Sequence, residues 1–143
     1  MFVCAVPIGN LEDASPRLRR VLGEVDAIAC EDTRTTGRLL ELLKVSPRPR
    51  LLAHHDHNER ASAAGVVALL LEGRDVALVS DAGTPSVSDP GTELVQAAHD
   101  AGVTVAVVAG PSAVAAAVSV AGVRGEGYRF VGFLPRSEGD LMG

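Results

Sequence analysis

One pattern restricts this chain more than any other. A short apolar, β-rich run, a loop of Gly, Pro, Asp or Thr, and a helical stretch follow one another five times with little between them. Residues 2–6, 27–30, 51–53, 76–80 and 103–109 read as strands, and 128–133 as a last strand candidate. Helices are expected over 15–22, 36–43, 58–72, 90–101 and 111–121. Ser15-Pro16 supplies an N-cap and a first-turn proline for the first of them, and Asn58 or a neighbour is placed to cap the third. In the fourth, Leu94, Val95, Ala98 and Ala101 recur at helical spacing. Such alternation favours a parallel sheet with right-handed crossovers. The fold class expected is therefore α/β, an open, mostly parallel five-stranded sheet with helices on both faces. The continuous run at 103–109 reads as a central strand covered on both faces. The Ala/Val helix after it reads as one packed tightly on the sheet.

Composition narrows the class further. A chain of 143 residues has the size of one domain and buries roughly two-thirds of its unfolded surface, so it needs no metal or disulfide staple. With 47% hydrophobic and 22% charged residues, neither disorder nor a fibrous repeat fits. The longest apolar runs, 66–71 and 103–109, are far too short to span a bilayer, so no membrane partner is expected. Cys4 and Cys30 lie in strand-like runs and are expected to be buried, reduced thiols. With no secretory pattern opening the sequence, the expected location is cytoplasmic. A net charge of −5 argues against unaided, tight binding to a polyanion. All 13 basic residues except Lys44 are Arg, the better planar clamp for phosphate.

The polar clusters fall at the carboxyl ends of the expected strands, where open parallel sheets bind ligands. They are Pro7-Ile8-Gly9-Asn10, Glu31-Asp32-Thr33-Arg34, His54-His55-Asp56-His57-Asn58-Glu59, Ser80-Asp81-Ala82-Gly83-Thr84-Pro85 through Asp89-Pro90-Gly91, and Gly110-Pro111-Ser112-Ala113. No Gly-rich loop ends in Lys before Ser or Thr, as a nucleoside triphosphate requires. Gly9 stands alone where a dinucleotide needs G-x-G-x-x-G. What remains is a Gly/Pro-shaped backbone cradle with the Asp81 carboxylate and the Ser112 hydroxyl. That set suits a ligand with hydroxyls and a cation rather than phosphates, and S-adenosylmethionine is such a ligand.

The motifs P-I-G-N-L-E-D, E-D-T-R, H-D-H-N-E, S-D-A-G-T-P-S-V-S-D-P-G, G-P-S-A and G-F-L-P, in this order, resemble those of the tetrapyrrole-methylase-like family. They are most similar to its RNA-modifying branch. Val6 stands where that family more often has Thr. The resemblance implies transfer of a methyl group from S-adenosylmethionine to the ribose 2′-oxygen of a cytidine in small-subunit ribosomal RNA. It implies cofactor contacts at Ile8, Gly9 and Asn10, at Asp81, Ala82, Gly83 and Thr84, and at Ser112 and Ala113, with Asp81 as the anchor. It also implies a homodimer in the full-length proteins and a second domain closing over the cofactor. Residues 1–134 would then be the N-terminal domain and 135–143 a linker or truncated tail, with the C-terminal domain absent. Such a chain is expected to bind cofactor weakly and to methylate little unless a partner completes it.

Methyl transfer to a hydroxyl is an in-line displacement in which alignment does much and a general base assists. Glu31, His55 and Asp56 are candidate bases, and no spacing selects among them. Arg34, His55 and Asn58 are candidate substrate contacts, although Asp32 or Thr33 can equally mark a capped helix start. The histidine cluster invites a metal reading, but adjacent side chains on an extended segment point opposite ways, so no metal site is expected. Three other readings stay open. They are a tetrapyrrole-type methyltransferase domain, a non-catalytic binding or dimerisation module, and a metal-dependent phosphohydrolase using His55-Asp56.

Overall fold

A computed structural model describes residues 1–55 and 57–132. Asp56, the last residue of the 128–133 strand candidate, the end of the G-F-L-P motif and the expected linker lie outside the described residues. Among the described residues, five strands form one sheet: β1 (Phe2–Cys4), β2 (Ala27–Cys30), β3 (Arg50–Ala53), β4 (Val76–Val79) and β5 (Ala106–Val108). All pairings are parallel, in the order β3-β2-β4-β1-β5. Every residue of β2 and β4 is buried, as their unbroken apolar sequences require of strands covered on both faces.

The crossover helices divide between the two faces. On one face, α1 (Pro16–Glu24) and α2 (Thr33–Leu42) set Leu18, Val21, Leu22 and Leu40 against Cys4, Ile28, Ala77 and Val79. On the other, α3 (Glu59–Leu71) and α4 (Thr92–Asp100) set Ala63, Val66, Leu70, Leu94 and Ala98 against Ala27, Ala29, Val76 and Leu78. Alternating small residues on the strands let the helices approach closely. The helix starts follow local chemistry. The Ser15 hydroxyl accepts the Leu18 N–H at 3.0 Å, and the Asp32 carboxylate accepts the Arg34 N–H at 2.8 Å. Because Asp32 caps it, α2 begins at Thr33, three residues before the expected start.

The chain after β1 turns to the α1 face, and the chain after neighbouring β4 turns to the α4 face. This divergence opens a crevice at the carboxyl edge of the sheet, the switch point of an open α/β fold.

Three expectations fail on this side of the molecule. Among the described residues, β5 is an edge strand of three residues paired only with β1, and Val107 is 58% exposed while Val108 is fully buried. Val108 packs into the α1/α2 side and Val103 and Val105 are only partly buried against the α3/α4 side, so neither face of the 103–109 run is covered along its whole length. The following helix, α5 (Ala113–Val120), contains no buried residue, so it does not pack tightly on the sheet. Residues 128–132 form no strand. No helix among the described residues is long and apolar enough to cross a membrane. Cys4 and Cys30 are free and buried, and burial pushes the Cys4 thiol up to about 12.

The edge position of β5 gives a direct test in chemical denaturation. Val107→Thr is expected to change stability by no more than about 0.5 kcal/mol, and Val108→Ala to cost about 2 kcal/mol. Comparable losses at both positions would put β5 back in the interior.

Candidate functional site

Backbone contacts lock three loops together at the switch point. Val6 and Gly83 exchange both backbone hydrogen bonds, at 2.9 and 3.2 Å, in an isolated antiparallel bridge between the loops after β1 and β4. The Ala5 N–H donates to the Val108 carbonyl at 3.1 Å, and the Thr84 hydroxyl to the Pro111 carbonyl at 3.1 Å, which ties in the loop after β5. Two glycines make this approach possible. A Cβ on Gly110 would lie 3.1 Å from the Ala5 Cβ, and buried Gly83 has φ +77°, a conformation L side chains rarely adopt.

These loops enclose a cavity of about 310 Å³, near the lower end of the ~300–1,000 Å³ range of small-molecule sites. Of the expected cofactor residues, Ile8, Ala82, Gly83, Thr84, Ser112 and Ala113 line it. Gly9, Asn10 and Asp81 do not. The Asn10 side chain instead accepts the Glu12 N–H at 3.0 Å, capping a short 3₁₀ turn. Asp81 is exposed and accepts the Asp32 N–H at 3.3 Å, so its carboxylate is turned to the loop after β2. Sequence reading missed Val87, Ser88, Asp89, Val114, Phe130 and Gly132 in the wall. The S-V-S-D-P-G motif was a signal for the first three; Phe130 was hidden inside an expected strand.

Among the described residues, the wall is mostly apolar and holds no Lys, Arg or His, and its one ionisable group is Asp89. These described wall residues offer a phosphate no cation. The Gly83 cradle, where a Cβ would crowd Ile8 at 3.4 Å, lets a ligand reach bare backbone. The wall adds the Ser88 and Ser112 hydroxyls and one carboxylate. This donor set fits S-adenosylmethionine, which joins a flat base and ribose hydroxyls to an ammonium and a sulfonium.

The loops after β2 and β3 lie on the other side of β4. The guanidinium of Arg34 holds both Asp32 oxygens, at 3.2 Å from Nε and 2.8 Å from Nη2. That side-chain bond, helped by the Arg34 backbone N–H, holds the Asp32 carboxyl down at about 2. Arg34 is thus exposed but engaged with the cap of its own helix. Glu31 and His55 are half-buried beyond the cavity wall. Asn58 makes no side-chain cap on α3. Its amide accepts the His55 N–H at 2.9 Å and donates to the Ala53 carbonyl at 3.0 Å, because the turn's own unpaired groups are closer. Buried His54 places Nε2 3.8 Å from Glu59 Oε1, and that oxygen also accepts the Gly91 and Glu93 N–H groups, at 2.9 and 3.2 Å. Among the described residues, no three His, Cys, Asp or Glu side chains are grouped to hold a metal ion.

Residues 2–138 match the family model of tetrapyrrole (corrin/porphyrin) methylases. The ribosomal RNA small subunit methyltransferase I of Escherichia coli O157:H7 is 46% identical over 135 residues, 94% of this chain and 46% of that protein. The protein of the same name from Xylella fastidiosa is 50% identical over 135 residues, 94% of this chain and 49% of that protein. The chain spans about half the length of these curated relatives. Among solved structures, the uroporphyrin-III-C-methyltransferase of Thermus thermophilus superposes with a TM-score of 0.63 at 26% identity. That match covers 86% of this chain and 51% of that one.

Burial drives the His54 imidazole below its ordinary value of 6.5, against the pull of Glu59. The unfolded chain takes up that proton first, so the stability His54 provides is complete above pH 6.5 and is lost as pH falls through its lowered value. The melting temperature is expected to drop as pH falls from 6.5 toward 5, and His54→Gln to flatten this part of the profile. An unchanged slope in the variant would assign the loss to other groups.

Proposed function

The chain belongs to the tetrapyrrole (corrin/porphyrin) methylase family, and on that premise we propose that its cavity binds S-adenosylmethionine for methylation of small-subunit ribosomal RNA, at a cytidine ribose 2′-oxygen. The observation that carries the reading is a coincidence of positions. Six residues that the motifs single out, Ile8, Ala82, Gly83, Thr84, Ser112 and Ala113, come from three separate loops and meet in one cavity with no cation among its described wall residues. When bound, the cofactor supplies an already activated sulfonium methyl group.

The chain's own residues then have three tasks. Backbone at Gly83 and hydroxyls at Ser88 and Ser112 hold ribose and amino-acid polar groups, and the Ile8, Val87 and Phe130 side chains exclude water around the base. The carboxylate of Asp89 stands in the wall where a cationic group is favoured. Across β4, Glu31 and His55 are candidates to take the proton from the attacking hydroxyl, with Asp56 a third by sequence alone, and Arg34, His55 and Asn58 are candidates to contact RNA. Asp32 already neutralises Arg34, so a phosphate gains from Arg34 only by competing with that carboxylate. A cytoplasmic homodimer belongs to the same reading. The relatives named for ribosomal RNA favour RNA over a tetrapyrrole substrate.

Equilibrium binding and nucleoside analysis test this together. Wild-type chain is expected to bind S-adenosylmethionine, and Ala113→Trp, which fills an exposed part of the cavity, to weaken binding at least about ten-fold with an unchanged melting temperature. Cells lacking the gene are expected to lose one 2′-O-methylcytidine from small-subunit ribosomal RNA. Retention of that nucleoside would refute the RNA assignment, and equal affinity in Ala113→Trp would refute the cavity.

A further inference from the structure

The loop between β4 and α4 forms much of the cavity wall, and its backbone is not at rest by itself. Ser86 and Ser88 have φ of +66° and +62°, in the left-handed region that L side chains enter only under constraint. Such a loop keeps its shape when both ends are fixed. The first end is fixed by the Val6–Gly83 bridge. The second end is Gly91, where α4 begins, and α4 has no cap of its own. A glycine has no side chain to offer, and Gly91 admits no other residue. Its φ is +130°, and a Cβ there would lie 2.8 Å from Leu78 Cδ2 and 3.0 Å from the Ser86 hydroxyl.

The missing cap comes from another helix. Glu59, in the first turn of α3, accepts the Gly91 and Glu93 N–H groups on one carboxylate oxygen, and its side chain is only 17% exposed. The same oxygen is 3.8 Å from His54 Nε2, and His54 directly follows β3. We propose that Glu59 is a positioning residue that clamps the far end of the β4 loop to the loop after β3. It thereby fixes residues 87–89 of the cavity wall relative to His54 and His55. The clamp stands on the two hydrogen bonds to α4, on the 3.8 Å approach to His54 and on Glu59 opening α3 directly after the β3 loop, and its consequence for ligand binding rests on the cavity being the cofactor site.

Hydrogen exchange followed by mass spectrometry on the whole chain reads the clamp directly. Glu59→Ala is expected to speed exchange in segment 84–93 about ten-fold while β1, β2 and β4 stay as protected as in wild type. Glu59→Gln keeps an acceptor oxygen and is expected to restore protection to within about two-fold. Should Glu59→Ala fail to fold, Glu59→Asp, one methylene short of both amides, is read in the same way. Unchanged exchange in 84–93 overturns the proposal, as does loosening spread equally over the sheet, or a Glu59→Gln protein as open as Glu59→Ala. S-adenosylmethionine affinity is measured alongside, and a loss of about ten-fold in Glu59→Ala with rescue in Glu59→Gln is expected. Wild-type chain that bound no cofactor would count against the cavity assignment, while exchange would still decide the clamp.

Discussion

The geometry of the site depends on the two backbone hydrogen bonds between Val6 and Gly83. Strands β1 and β4 are neighbours whose following chains leave to opposite faces, so the loops would diverge at once without a cross-link. The bridge delays that divergence by a few residues and makes a floor from the space between them. It also demands a residue at position 83 that tolerates φ +77° beside Ile8, which is why glycine is found there. The other ties, Ala5 to Val108 and Thr84 to Pro111, bring the β5 loop onto a floor that the bridge has already set.

Around that floor, charges are handled by local pairing. The chain is acidic overall, yet its acids at the site edge are mostly occupied with backbone or arginine. Asp32 caps α2 and holds Arg34, Asp81 takes the Asp32 amide, and Glu59 takes two amides of α4. The Asp32 carboxylate is held as an anion by the Arg34 guanidinium and by the helix start it caps. The edge is therefore rich in carboxylates that serve as structure, and among the described residues the cavity wall adds one more carboxylate, Asp89.

Much of this was legible in the sequence, for reasons that differ between residues. Ala27–Cys30 and its neighbours were readable because an unbroken apolar run bounded by turn residues has few alternatives to a buried strand. Ser15-Pro16 was readable because capping is local. Polar turns after parallel strands mark a ligand edge, and it was the motifs' resemblance to the family that picked out the six residues found in the cavity wall. Asn58 misled because its amide closes its own turn on His55 and Ala53 instead of capping α3, and Asp81 was not readable, since its partner Asp32 is set by how loops meet. Glu59 was hidden for the same reason, as its amides lie more than thirty residues away. β5 and α5 misled because apolar composition says that a face prefers cover, without saying which element lies over it.

That last failure bears on how the cavity would work. One wall is built on β1 and β4, whose flanking residues Cys4, Val6 and Val79 are almost wholly buried. The opposite wall comes from Ser112, Ala113 and Val114 at the start of α5, and from Phe130, which is 49% exposed. α5 buries none of its residues, so little apolar burial resists its local displacement. A ligand seated between the two walls touches a rigid side and a soft side. The free energy it gains by contact with the soft side is reduced by the cost of ordering that side. Affinity at this site is then governed less by the floor, which is fixed before binding, than by whatever holds α5 and the segment around Phe130 in place.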